Sequence, residues 1–150
     1  MTRASALLLA AAAAAFGCDG GDAVCKENLG AQTIEERVMV EVADATVDAE
    51  LADDASERAR GWRKRACNRE AILLVPDEPE PLPIWGCELV GALDVIGVHA
   101  GAVVYVERLE PCAAPCGGCP TVGDGITVDA VLETPAGALE VAVGDAYRRR

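Results

Sequence analysis

Two valine-rich runs, residues 93–98 (LDVIGV) and 102–106 (AVVYV), flank the tripeptide His99-Ala100-Gly101, and no other stretch limits the possible folds so tightly. Apolar runs of this length on either side of a turn read as a buried β-hairpin. Side chains alternate along a strand, so Asp94 shares a face with Ile96 and Val98. A carboxylate there needs a partner or an opening to solvent. The surrounding stretch, 82–107, also carries Trp85, one of two tryptophans, and His99, the single histidine.

The rest of the chain supplies more short strands. Val38, Val40 and Val42 alternate with polar residues, and Val47, Ala49 and Leu51 do the same, so both segments read as half-buried strands. Asp53, Asp54, Ser56 and Glu57 open a helix, with acids at the positive end of its dipole, and Gly61 stops it. Residues 71–75 (AILLV) read as a buried strand, and 76–83 (PDEPEPLP) as a surface loop too rich in proline for regular structure. The acids of that loop lack the alternating, glycine-containing spacing of a calcium loop. Further strands are expected over 126–132 and 138–143, joined by the turn Thr134-Pro135-Ala136-Gly137, with 148–150 a solvated tail. No βαβ rhythm and no internal repeat is visible. The expected fold is mainly β, a compact β-sandwich or jelly-roll-like barrel with one short helix.

Composition narrows the setting. Aromatic residues make up only 3% of a chain that is 51% hydrophobic, so a single core must be built from Val, Ala, Leu and Ile. A net charge of −12 opposes nucleic acid as a partner. Residues 1–17 have the pattern of an export signal, with Arg3 ahead of an apolar stretch that ends in small residues. Ala15-Phe16-Gly17-Cys18 looks like a bacterial lipoprotein box, which makes Cys18 the lipidated first residue of the mature chain. Residues 18–32 then form a polar tether and 33–150 a single domain. The expected location is the periplasm or the outer face of a bacterial membrane, where the lipid anchor makes the membrane itself a partner.

Seven cysteines suit such an oxidising compartment. Cys112, Cys116 and Cys119 share the C-x3-C-x2-C spacing of radical S-adenosylmethionine enzymes. The domain is too small for their α/β barrel, and Gly118 stands where an aromatic usually precedes the last cysteine. Zinc would need a fourth ligand from Cys25, Cys67, Cys87 or His99. Catalysis through Cys116 and Cys119 would lack a thioredoxin-like context to set the thiol pKa. Disulfides account for the pattern most simply: with Cys18 lipidated, Cys25, Cys67, Cys87, Cys112, Cys116 and Cys119 form an even set. The expected pairing joins Cys67 to Cys87 and ties Cys25 into the 112–119 group, each bridge adding roughly 2–4 kcal/mol. No metal or cofactor is assigned.

In order, these motifs resemble domain-of-unknown-function family 192. The glutamate–arginine helix leading to a glycine is Glu57-Arg58-Ala59-Arg60-Gly61, followed by Arg63 and Arg65. The central tryptophan signature falls on Trp85-Gly86-Cys87-Glu88-Leu89, and the Pro-Leu-Asp strand on Ala92-Leu93-Asp94. Pro111-Cys112, Cys119-Pro120, Leu132-Glu133, Ala136-Gly137 and Gly144-Asp145 complete the series over about 37–147. The signature's asparagine, threonine and methionines are replaced, and the 137–144 segment, where the family tends to a short helix, is shortened. The resemblance implies a compact β-sandwich or barrel and assigns no reaction.

The functional expectation is a non-catalytic envelope module that binds a small molecule, a polymer or another protein. Its candidate ligand or structural cluster is Arg58, Arg65, Trp85, Glu88 and Asp94. The structural version pairs Asp94 with an arginine and puts Trp85 in the core. The alternatives are a hydrolase using Glu88 and Asp94 as acid and base, or a thiol or zinc protein.

Overall fold

A computed structural model describes residues 30–66 and 71–150. The expectations for the export signal, Cys18, Cys25 and Cys67 lie outside the described residues. The fold is mainly β, a curled half-barrel with one short helix, in line with the sequence reading. In chain order the elements are β1 (Arg37–Val42), β2 (Ala45–Ala52), α1 (Ala55–Arg60), β3 (Ala71–Leu74), β4 (Glu80–Pro81), β5 (Ile84–Trp85), β6 (Leu93–His99), β7 (Ala102–Leu109), β8 (Thr121–Val122), β9 (Thr127–Val128), β10 (Ala130–Pro135) and β11 (Tyr147–Arg149). Seven of the strands form one sheet in the order β11-β1-β2-β3-β10-β6-β7, and two short ribbons, β4-β9 and β5-β8, lie outside it.

The local chemistry explains each boundary. Asp54 caps α1 by accepting the Ser56 N–H at 2.7 Å, and the Gly61 N–H closes the helix on the Glu57 carbonyl. At the β6–β7 turn Ala100 and Gly101 both have positive φ, the type I′ geometry that matches strand twist. Asp129 fastens this turn by accepting the Ala100 N–H and meeting His99 Nδ1 at 2.9 Å. A two-residue turn in regular register would set Asp94 opposite Glu107. A bulge after Val103 shifts the register by one, so Asp94 faces Arg108 and Gly97 faces Tyr105. The Tyr105 ring covers Gly97 so closely that an added Cβ would lie 2.0 Å from it.

Both faces of the sheet are apolar. One carries Ile72, Leu74, Leu93, Val95 and Val131, covered by Ile34, Trp62, Ile84 and Leu89 from the connections. The other carries Val40, Val42, Leu73, Ile96, Val98 and Leu132, with Leu139, Val141 and Tyr147 against it. The sheet's two edges are drawn together at one end. There the Tyr147 N–H bonds to the Gly101 carbonyl, and Val103 exchanges bonds with Gly144 and Asp145, while β11 pairs with β1.

Six expectations need correction. A βαβ unit is present: β2 and β3 are parallel, joined through α1. Parallel neighbours require a crossover, and a six-residue helix is too short to announce one by periodicity. Residues 138–143 are irregular chain rather than a strand or a helix, while the supposed tail supplies β11. The proline-rich loop contributes Glu80 and Pro81 to the β4–β9 ribbon, and the expected 126–132 strand is divided between β9 and β10. Finally, Cys87 is bonded to Cys116 and Cys112 to Cys119, so the expected Cys67–Cys87 bridge is replaced. Neighbouring backbone bonds bring Cys87 to the 112–120 loop, a proximity that spacing along the chain does not reveal.

Candidate functional site

Pairing register sets three residues in a row on the first face: Glu50 of β2 opposes Ile72 of β3, and Ile72 opposes Glu133 of β10. Two carboxylates are thus buried about two strand spacings apart, roughly 10 Å. Arg65 reaches in from the connection after α1 and donates from Nη2 to Glu50 Oε2 at 2.6 Å, with both side chains fully buried. Its guanidinium also lies 5.2 Å from the centre of the Trp62 ring, a cation–π contact. Glu133 feels Arg65 through space and accepts the Trp62 backbone N–H, yet its Oε2 is buried without a hydrogen-bond partner among the described residues. Burial therefore dominates and pushes the Glu133 carboxyl up to about 7.

Glu133 lies at the floor of a cleft of about 280 Å³. Leu82, Ile84 and Leu89 line it with Trp85, whose ring is 46% exposed, and Arg58, Arg60 and Arg63 line the basic side. Gly61 passes directly over the carboxylate: a Cβ there would stand 3.2 Å from both oxygens, so glycine is what permits this approach. Gln32 holds the same turn by donating to the Glu57 and Gly61 carbonyls at 2.9 and 3.0 Å.

The expected cluster is divided. Arg58 and Trp85 line this cleft and Arg65 lies beneath it. Arg58 donates to the Val75 and Asp53 carbonyls, which leaves it a largely structural role. Glu88 is paired with Arg63 and Lys64, and the Arg63 hydrogen bond holds its carboxyl below the usual range against the opposing effect of desolvation. Asp94 is on the other face of the sheet. Arg108 donates to both of its oxygens, at 2.9 and 3.1 Å, and the Gly137 N–H adds a third bond at 2.6 Å. Desolvation acts to raise this carboxyl, but those bonds together bring it below its ordinary value.

Asp94 does pair with an arginine, as the structural reading required, but the partner is Arg108, which was outside the expected cluster. Trp85 is a cleft wall, whereas Trp62 is the core tryptophan. Glu88 and Asp94 are each held by a separate arginine, Arg63 and Arg108, and do not meet as the acid and base pair of the hydrolase alternative. Glu133 was visible only as part of a motif. The usable signal was a glutamate at an inward position of a strand reading Ala-Val-Leu-Glu, with Val131 on the same face.

The fold has counterparts among solved structures. A candidate transcription regulator from Sinorhizobium meliloti 1021 superposes with a TM-score of 0.64 at 21% identity, over 79% of this chain and 97% of that one. A protein of unknown function from Novosphingobium aromaticivorans DSM 12444 gives 0.63 at 21% identity, over 79% and 90%. No curated protein matches the chain. The model of domain-of-unknown-function family 192, described as "Uncharacterized ACR", matches residues 38–148, and the chain belongs to that family.

Proposed function

We propose that the domain is a non-catalytic binding module of the bacterial envelope, exported and held to a membrane through lipidated Cys18, and that its cleft takes a small molecule. The observation that carries the binding reading is the buried Glu133 oxygen, without a partner among the described residues, at the floor of an aromatic-walled cleft. Buried polar groups are ordinarily satisfied, so an acceptor left open against a cleft is a place for a donor. Glu50 is paired with Arg65 and lies 3.9 Å from Arg37, and an ionised Glu133 adds a negative charge of its own at the floor of the cleft. The matching ligand has an apolar body against Trp85, Ile84 and Leu89, and an ammonium or other donating head on Glu133.

Three small probes test this by titration of the full chain: benzylammonium, benzyl alcohol and phenylacetate. Benzylammonium should bind best, with Trp85 fluorescence changing in step, and Glu133→Gln should abolish its advantage over the alcohol. Because the ligand must displace the Glu133 proton below pH 7, affinity should rise roughly tenfold per pH unit up to 7 and then level. Equal binding of phenylacetate, or an unchanged benzylammonium affinity in Glu133→Gln, would overturn the proposal. Anchoring is tested separately: Cys18→Ser should move the protein from the membrane fraction to the soluble one.

A further inference from the structure

The four described cysteines converge outside the cleft. The sulphurs of Cys87, Cys116 and Cys119 lie within 4.8 Å of one another, and Cys112 is bonded to Cys119. Cys87 is buried, whereas Cys112, Cys116 and Cys119 are half-buried in a loop whose intervening residues are exposed. What gathers them is backbone as well as sulphur. The Glu88 N–H bonds to the Cys112 carbonyl at 2.7 Å and the Gly86 N–H to the Pro120 carbonyl at 2.9 Å. These two bonds close the 112–120 loop at both ends onto the segment that carries Cys87. Within the loop the Cys119 N–H returns to the Cys116 carbonyl at 3.1 Å, so the C-x2-C pair is wrapped around a single turn.

An arrangement closed by main-chain bonds does not scatter when its sulphurs are reduced. We infer that Cys87, Cys112, Cys116 and Cys119 in their reduced state form a four-thiolate site for a thiophilic cation, of which zinc is the archetype. The two disulfides and the metal-bound thiolates are alternative states of one set of sulphurs. In going from the first to the second, two molecules of a dithiol reductant are oxidised to their own disulfides. The Cys87–Cys116 and Cys112–Cys119 bonds are each cleaved to two thiols, and the cation then displaces the thiol protons. Zinc held this way shields the thiols from oxidation, so metal capture and disulfide formation compete.

The test uses the full chain, reduced anaerobically with a water-soluble phosphine that is then removed, and titrated with Co2+. The expected result is one Co2+ per chain with the absorption of tetrahedral thiolate-bound cobalt, displaced by Zn2+. Cys87→Ser and Cys116→Ser should each lose the four-sulphur spectrum, while Cys25→Ser and Cys67→Ser keep it. Near-ultraviolet circular dichroism of buried Trp62 reports whether each variant is folded. With zinc bound, oxidation by glutathione disulfide should slow roughly tenfold or more. A folded, reduced chain that binds no cobalt, or a four-sulphur spectrum that survives Cys87→Ser, would overturn the inference. So would loss of the Trp62 signal on reduction alone, because the backbone would then not hold the site.

Discussion

Asp94 and Glu133 sit on adjacent, hydrogen-bonded strands, one register step apart: Thr134 opposes Asp94 and Glu133 opposes Val95. That single step puts them on opposite faces of the sheet, and their environments part completely. Both side chains are buried, yet Asp94 is shifted down and Glu133 up. Asp94 has a bidentate guanidinium and a backbone N–H of its own. Glu133 has one backbone N–H and an arginine that is itself paired with Glu50. Glu133 is the more deeply buried of the two and has the fewer committed donors, and both differences push its carboxyl up relative to that of Asp94. It follows that Asp94 is a completed structural clamp and Glu133 is the open position.

The comparison can be broken most forcefully through Arg65. Arg65→Met removes the 2.6 Å partner of buried Glu50, which keeps Arg37 at 3.9 Å, together with the positive charge that Glu133 feels, and should lower stability by about 3–5 kcal/mol. Denaturant titration at pH 7 measures this, and a loss below about 1 kcal/mol would show that Arg65 is not what holds the two carboxylates in the core.

Next comes Glu133 itself. Its carboxyl ionises near 4.5 when unfolded and near 7 when folded, so the folded chain holds the extra proton between those values. Stability from this group is full below pH 4.5 and is lost as pH rises through 7, by about 3 kcal/mol in all. Glu133→Gln should flatten that slope and be the more stable form at pH 8. Thermal melts between pH 4.5 and 8 provide the check.

Asp94→Ala is the smallest of the three. Arg108 is 53% exposed on its side chain and can return to water, so the cost comes mainly from the unpaired Gly137 N–H and should be about 1–3 kcal/mol. Its pH signature is opposite to that of Glu133: the lowered carboxyl contributes stability above its unfolded value of 3.8 that disappears as pH falls through the folded pKa. Acid titration of wild type and variant should converge below that point.

Much of this frame was legible in the sequence, and the reason is local. The hairpin, the acidic helix start at 53–57 and the Gly61 stop each follow from a few neighbouring residues, and the burial of Asp94 in an apolar run announces its need of a partner. The partner's identity did not follow, because it depends on a one-residue bulge in β7 that a count along the hairpin does not reveal. The parallel β2–β3 pair, the Cys87–Cys116 bridge and the Glu50–Ile72–Glu133 row are all long-range registers. Residues 138–143 misled for a different reason. Leu139 and Val141 do pack on the apolar face, but as irregular chain laid over it, and hydrophobic spacing alone cannot tell that from a strand.

The three residues of β11 carry a burden out of proportion to their length. They occupy the free edge of β1, and the turn just before them binds the start of β7. Trimming the chain back past Gly144 would bare both margins in one stroke, offering unpaired amides to any passing copy. Cutting the chain ahead of this arginine-rich strand should therefore show up first as turbidity.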